Sequence, residues 1–151
     1  MREIIPMSIL PNLSTGLAVE ASAPPVGKGT ILVVEDETTI ITYLSVLLQR
    51  DGWTVLCAPD GQSGIDLLTE SKEKVALAIV DGRLPDMSGE FVCSQLRAID
   101  DKIPLLFCSG LLHDAALESL GGRTRFLAKP FSPSQILSDI RGLLSDCAVA
   151  I

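Results

Sequence analysis

Three observations predict an α/β fold built on a parallel sheet. Short aliphatic runs alternate with stretches of helical spacing, five times over. One run, Val75 to Val80, is continuously apolar, as a central strand covered on both faces requires. Four of the runs end in polar side chains: Glu35-Asp36, Asp81, Ser109 and Lys129. In an open parallel sheet the C-terminal strand ends converge on one crevice. The reading is a doubly wound, flavodoxin-like (βα)5 sheet with strand order 2-1-3-4-5, crossovers right-handed.

Each element follows from local pattern. Thr30 to Val34 is a β-branched, buried strand. Glu37 to Arg50 carries Ile40, Ile41, Tyr43, Leu44, Leu47 and Leu48 at helical spacing, and Asp51-Gly52 stops it. Trp53 to Cys57 is the second strand. Asp60-Gly61 opens a helix with Ile65, Leu67 and Leu68 that fades near Ser71. Ser88 to Ile99 is a third helix with Phe91, Val92, Leu96 and Ile99 on one face. Pro104 to Cys108 and Thr124 to Ala128 are the fourth and fifth strands. Between them Leu112 to Leu120 is a short fourth helix, stopped by Gly121-Gly122. The last helix starts with Ser132 as cap and Pro133 in the first turn, and buries Ile136, Leu137, Ile140, Leu143 and Leu144. Residues 1–29 read as an arm or linker, 30–146 as the domain and 147–151 as a tail.

Composition narrows the function. A chain of 151 residues, 47% hydrophobic, supports one domain with a real core. Its net charge of −7 excludes direct nucleic-acid binding, which needs a basic surface. No apolar run is long enough for a membrane span. Ala21-Ser22-Ala23 resembles a signal-peptidase site, but Glu3, Pro6, Pro11 and Asn12 break the apolar core that a secretory signal needs. The four cysteines form no Cys-x-x-Cys pair and read as reduced residues of a cytoplasmic protein.

The strand-end residues carry the chemistry. Asp36 and Asp81 end neighbouring strands, with Glu35 beside them, and like charges that close cannot all ionise comfortably. A divalent cation resolves the conflict, and all-oxygen ligands suit Mg²⁺. With no His or Cys at these strand ends, zinc is disfavoured. One free carboxylate, one hydroxyl and one ammonium beside a metal suit phosphoryl transfer to a carboxylate. Asp81 is then the nucleophile, Lys129 the neutralising cation and Ser109 a hydrogen-bond donor.

The acidic pair, the Asp-x-x-Leu-Pro-x-Met-x-Gly run from Asp81 to Gly89, the Ser109-Gly110 step and the Lys129-Pro130-Phe131 step occur in one order. That set resembles the receiver domain of two-component response regulators, from about Thr30 to Asp146. The resemblance implies that Asp81 accepts the phosphoryl group. It implies that Asp36 ligates Mg²⁺ with Glu35 as its acidic partner, and that Arg83 lends its backbone carbonyl. Ser109 is the switch hydroxyl, Phe126 the switch aromatic, and Lys129 the phosphate-pairing lysine before a cis proline. The implied donor is a histidine kinase or a histidine phosphotransfer protein. The implied readout face is the fourth helix, fifth strand and fifth helix, used by a downstream protein or for self-association. The run from Phe126 to Pro133 also looks like receivers of hybrid sensor kinases. Glu-Asp in place of Asp-Asp, serine in place of threonine, and the bulky Arg83 are departures from the commoner pattern.

Other readings stand beside this one. Glu35-Asp36-Glu37 alone would cap a helix, and Asp81-Gly82 alone would form a turn. A degenerate receiver could act as a scaffold independent of phosphorylation. A phosphatase of the haloacid-dehalogenase type needs a second aspartate where Arg83 stands. A flavin-binding domain needs a phosphate-cradling loop that does not follow the first strand. The lone His113 reads as a helix-end residue, and Asp60 and Asp86 as turn or capping residues.

Overall fold

The computed structural model describes residues 27–71, 74–110 and 121–149. The five strands are β1 (Gly29–Val34), β2 (Trp53–Ala58), β3 (Val75–Asp81), β4 (Leu105–Ser109) and β5 (Thr124–Ala128). The helices are α1 (Thr38–Arg50), α2 (Gly61–Ser71), α3 (Gly89–Ile99) and α4 (Pro133–Val149). The strands form one parallel sheet in the order β2-β1-β3-β4-β5. The expected (βα)5 order and topology are met wherever the structure is described. The expected fourth helix, His113, and the arm with Ala21-Ser22-Ala23 lie outside the described residues.

Alternation along β1 divides the core into two layers, because successive side chains of a strand point to opposite faces. Ile31 and Val33 join Leu44 and Leu48 of α1 and Ile136, Ile140 and Leu143 of α4. Leu32 and Val34 join Leu68 of α2 and Val92 and Leu96 of α3. The sheet is therefore covered on both sides, which explains why β3 is apolar from Val75 to Val80. Leu77, Ala78 and Val80 are fully buried. α2 approaches β1 so closely that a methyl at Gly64 would lie 2.7 Å from Val34 Cγ2.

Caps fix the helix starts. Ser88 Oγ accepts from the Phe91 N–H at 3.1 Å at the start of α3. At α4, Ser132 Oγ accepts from the Gln135 N–H at 3.2 Å, and Gln135 Oε1 accepts from the Ser132 N–H at 2.8 Å. That reciprocal pair is a capping box, so the serine-proline start works as the sequence indicated. Two boundaries move outward. β1 begins at Gly29, one residue before the expected strand start, and Lys28 N–H bonds the Gly52 carbonyl at 3.0 Å. α4 runs on to Val149, past the expected end at Asp146. Among the described residues, no helix is long and apolar enough to cross a membrane.

Candidate functional site

The crevice opens where β1, β3, β4 and β5 end, and neighbouring strands fix its walls. The Gly82 N–H bonds the Cys108 carbonyl at 2.8 Å, and the Lys129 N–H bonds the Ser109 carbonyl at 3.0 Å. These bonds carry the sheet past its last strand residues and hold the ends of β3, β4 and β5 level. Asp36, Asp81, Arg83, Ser109 and Lys129 all line the crevice, together with Glu37, Ser88, Glu90 and Phe107.

Lys129 reaches across the strand ends to two acids. Its Nζ donates to Asp81 Oδ1 at 2.8 Å and to Glu35 Oε1 at 3.4 Å. Both carboxylates belong to buried residues, Glu35 at 3% and Asp81 at 6% exposure. Burial alone would pull the lysine down, but the hydrogen bond to Asp81 and the charges of Glu35 and Asp81 outweigh it and hold the ammonium above its ordinary value. Glu35 is likewise held above the ordinary glutamate value, first by burial and further by the Asp81 charge. The Glu37 N–H and the Lys129 ammonium pull it only part of the way back.

Glu35 therefore has two tasks. Its Oε2 accepts the Glu37 N–H at 3.1 Å, beside the first turn of α1, while its Oε1 faces Lys129. The helix-capping alternative is thus met in part, but by Glu35: the Glu37 side chain makes no cap hydrogen bond.

Carboxylate oxygens of Glu35, Asp36 and Asp81 all lie within 4.8 Å of one another. Asp36 is exposed and the other two are buried. Three hard oxygen donors this close, balanced by one ammonium, leave excess negative charge at the mouth of the crevice. A small hard dication fits that donor set.

The loop after Asp81 explains its own sequence. The Gly89 N–H bonds the Gly82 carbonyl at 3.0 Å, and Arg83 and Ser88 form an isolated antiparallel bridge. A methyl at Gly89 would overlap the Asp81 carbonyl oxygen, so only glycine closes the loop there. Leu84 and Met87 turn inward against the α2–α3 layer. Asp86 accepts from the Gly61 and Gln62 N–H groups at 2.8 and 2.9 Å, capping α2 from a distance. Those two backbone bonds hold its carboxyl below the ordinary aspartate value. Asp60 also caps, accepting from the Ser63 N–H at 2.8 Å.

Residues 31–141 match the family model of the response regulator receiver domain. The chain belongs to that family. The receiver is 34% identical over 122 residues to the alkaline phosphatase synthesis transcriptional regulatory protein PhoP of Bacillus subtilis, covering 80% of this chain and 50% of that one. It is 30% identical to the sensor kinase CckA of Brucella abortus, covering 83% of this chain and 14% of the kinase. A response regulator receiver domain protein from Clostridium thermocellum superposes with a TM-score of 0.74 at 25% identity, covering 82% of this chain and 99% of that one. The chain spans about half the length of PhoP, and of several other curated relatives it matches.

The remaining expected features take their places around this site. The Lys129–Pro130 bond is cis, as the family resemblance implied. Phe126 is half-buried and meets Phe107 edge to face, ring centroids 5.4 Å apart. Cys57, Cys93 and Cys108 are not joined in disulfides. Burial pushes the Cys93 thiol up to about 12 and Cys108 higher still, so both behave as core residues. Sequence reasoning passed over Phe107 as an ordinary strand residue. Its position two before Ser109 was the available signal, because alternation puts the two side chains on one face.

Proposed function

We propose that Asp81 is the phosphoacceptor of a two-component phosphorelay. The observation that carries this reading is the Lys129 ammonium 2.8 Å from Asp81 Oδ1, within a cluster of three converging carboxylates. The Asp81 carboxylate attacks the phosphorus of a phosphohistidine on a kinase or phosphotransfer protein. The P–N bond breaks, the imidazole leaves with the electron pair, and an acyl phosphate forms on Asp81. Lys129 exchanges its carboxylate contact for the transferred phosphoryl oxygens, and Ser109 donates its hydroxyl to one of them. Asp36, Asp81 and the Arg83 carbonyl would ligate Mg²⁺ with Glu35 as acidic partner, and the ion would supply further charge neutralisation for the phosphoryl oxygens.

The outcome is a change in binding, without turnover of an external substrate. Phosphorylation biases a two-state equilibrium through Ser109 and Phe126. The readout surface is the face around β5 and α4 with the preceding segment, offered to a downstream protein or a second copy. The protein works in the cytoplasm, where kinases and phosphotransfer proteins operate.

The test is phosphorylation by acetyl phosphate with Mg²⁺, read by intact-protein mass, beside Asp81→Asn. A single phosphoryl adduct on the wild type and none on the variant is expected. A folded wild-type protein that takes no adduct from acetyl phosphate or from a phosphorylated histidine donor would overturn the reading in favour of a scaffold.

A further inference from the structure

We propose that Phe107 is a positioning residue that transmits the state of the Asp81 pocket to Phe126. The inference rests on Asp81 being the phosphoacceptor and assigns a further residue to the regulation of that site. Phe107 lies next to both ends of the route. A methyl built on Gly82, the residue after Asp81, would meet Ser109 Oγ at 3.0 Å and Phe107 Cζ at 3.2 Å. The hydroxyl and the ring tip therefore both lie over the backbone that follows Asp81. The same ring also contacts Phe126, with an interplanar angle of 84°.

Strand register makes this contact direct. Phe107 is opposite Phe126 in the β4–β5 ladder, whereas Ser109 is opposite Ala128. Ser109 thus has no aromatic partner in its own register position, and the ring two residues before it has one. Phe107 is 4% exposed and packs in the α2–α3 layer, with the crevice as the space beside its ring. Drawing Ser109 toward a phosphoryl group changes the space at the tip of the Phe107 ring. Close packing converts a small tilt there into a new position for Phe126, because edge-to-face rings keep their geometry.

The test uses the full chain labelled with para-fluorophenylalanine and read by fluorine NMR, each resonance assigned by single Phe→Leu variants. Intact mass reports the phosphoryl adduct in the same samples. In the wild type, acetyl phosphate with Mg²⁺ shifts the Phe126 resonance. In Phe107→Leu the adduct still forms, but the Phe126 shift falls to less than about half. Leu105→Val removes volume from the same strand and face away from Gly82, and keeps the full shift. Phe107→Met preserves volume without the ring edge and loses the shift as Phe107→Leu does, so a folding defect in one variant leaves the other to decide. A full Phe126 shift in a phosphorylated Phe107→Leu or Phe107→Met protein overturns the proposal. Absence of any adduct on the folded wild type, with acetyl phosphate and with a phosphorylated histidine donor alike, overturns the phosphoacceptor reading, and this proposal with it.

Discussion

Replacing Lys129 by methionine removes the one ammonium that holds Asp81 and Glu35 together. Its two contacts measure 2.8 and 3.4 Å. At an effective dielectric of about 20, charges at such separations attract by roughly 5 kcal/mol each. Desolvation of the ammonium and the mutual repulsion of the acids offset most of that. Removing one partner of a buried pair typically costs about 3–5 kcal/mol. The Lys129 side chain keeps 23% exposure, so water screens part of the interaction and about 3 kcal/mol is the expected loss. Urea unfolding without metal, followed by tryptophan emission, measures it. Trp53 is the sole tryptophan, is buried, and pairs with Gly29 at the opposite end of the sheet, so it reports global unfolding. A loss below about 1 kcal/mol would show that the ammonium does not neutralise the two acids, and the account of the site would fail.

The same variant carries a pH signature with a definite sign. Lys129 is raised in the folded protein, so its contribution is complete below the ordinary lysine value of 10.5 and is lost only as pH rises through the folded value. Glu35 is also raised, so the folded protein holds more protons than the unfolded chain from about pH 4.5 upward to that raised value. Stability therefore falls as pH rises through that window. Without Lys129 the Glu35 carboxyl moves up further, and the window widens. The deficit of Lys129→Met is expected to shrink as pH falls from neutral toward 4.5.

Other expectations concern the loop, the metal and the thiols. Asp86→Ala removes two N–H partners from α2 and lowers the urea midpoint. Because Asp86 is depressed in the folded state, its advantage exists above the ordinary value of 3.8 and is lost as pH falls through the folded value, which a pH series of melts would detect. Gly89→Ala forces a methyl onto the Asp81 carbonyl, costing more than about 2 kcal/mol and abolishing uptake of the phosphoryl group. Mg²⁺ at a hundred times its dissociation constant raises wild-type stability by about 2.7 kcal/mol, and Asp36→Ala removes most of that gain in calorimetry. Native protein exposed to iodoacetamide modifies the half-buried Cys57 well before Cys93 or Cys108, as peptide mapping would show.

Legibility differed between backbone and side-chain partners. Strand β3 was readable because a two-sided burial needs an unbroken apolar run, and Val75 to Val80 supplies one. Asp81, Ser109 and Lys129 were readable because topology alone brings strand ends together. The bond from Asp86 to α2 was only half legible. A turn aspartate announces that it will cap something, but Gly61 and Gln62 precede it by two dozen residues, and no local pattern links them. Arg97 was not legible at all. Its guanidinium bonds the carbonyls of Ile103, Gly121 and Arg123, tying α3 to the start of β5. In the sequence it was one polar position on an amphipathic helix. Phe107 was hidden for the opposite reason, since an apolar residue in an apolar strand carries no mark of what its ring touches.

These contacts make the two walls of the crevice unequal. The acceptor wall is clamped at several points: Gly89 against the Asp81 carbonyl, Leu84 and Met87 in the core, and Asp86 on α2. Moving that wall would require those contacts to break together. The facing wall is anchored through its backbone, by bonds from Gly82 to Cys108 and from Lys129 to Ser109. Its side chains can still change, because a serine has three staggered positions and an aromatic ring can tilt within its contact. A phosphoryl group entering between such walls, as proposed, would leave the loop after Asp81 nearly fixed. The free energy of its new contacts goes into side-chain rearrangement on β4 and β5. On the proposed reading, this asymmetry would make one covalent event at Asp81 readable at Phe126.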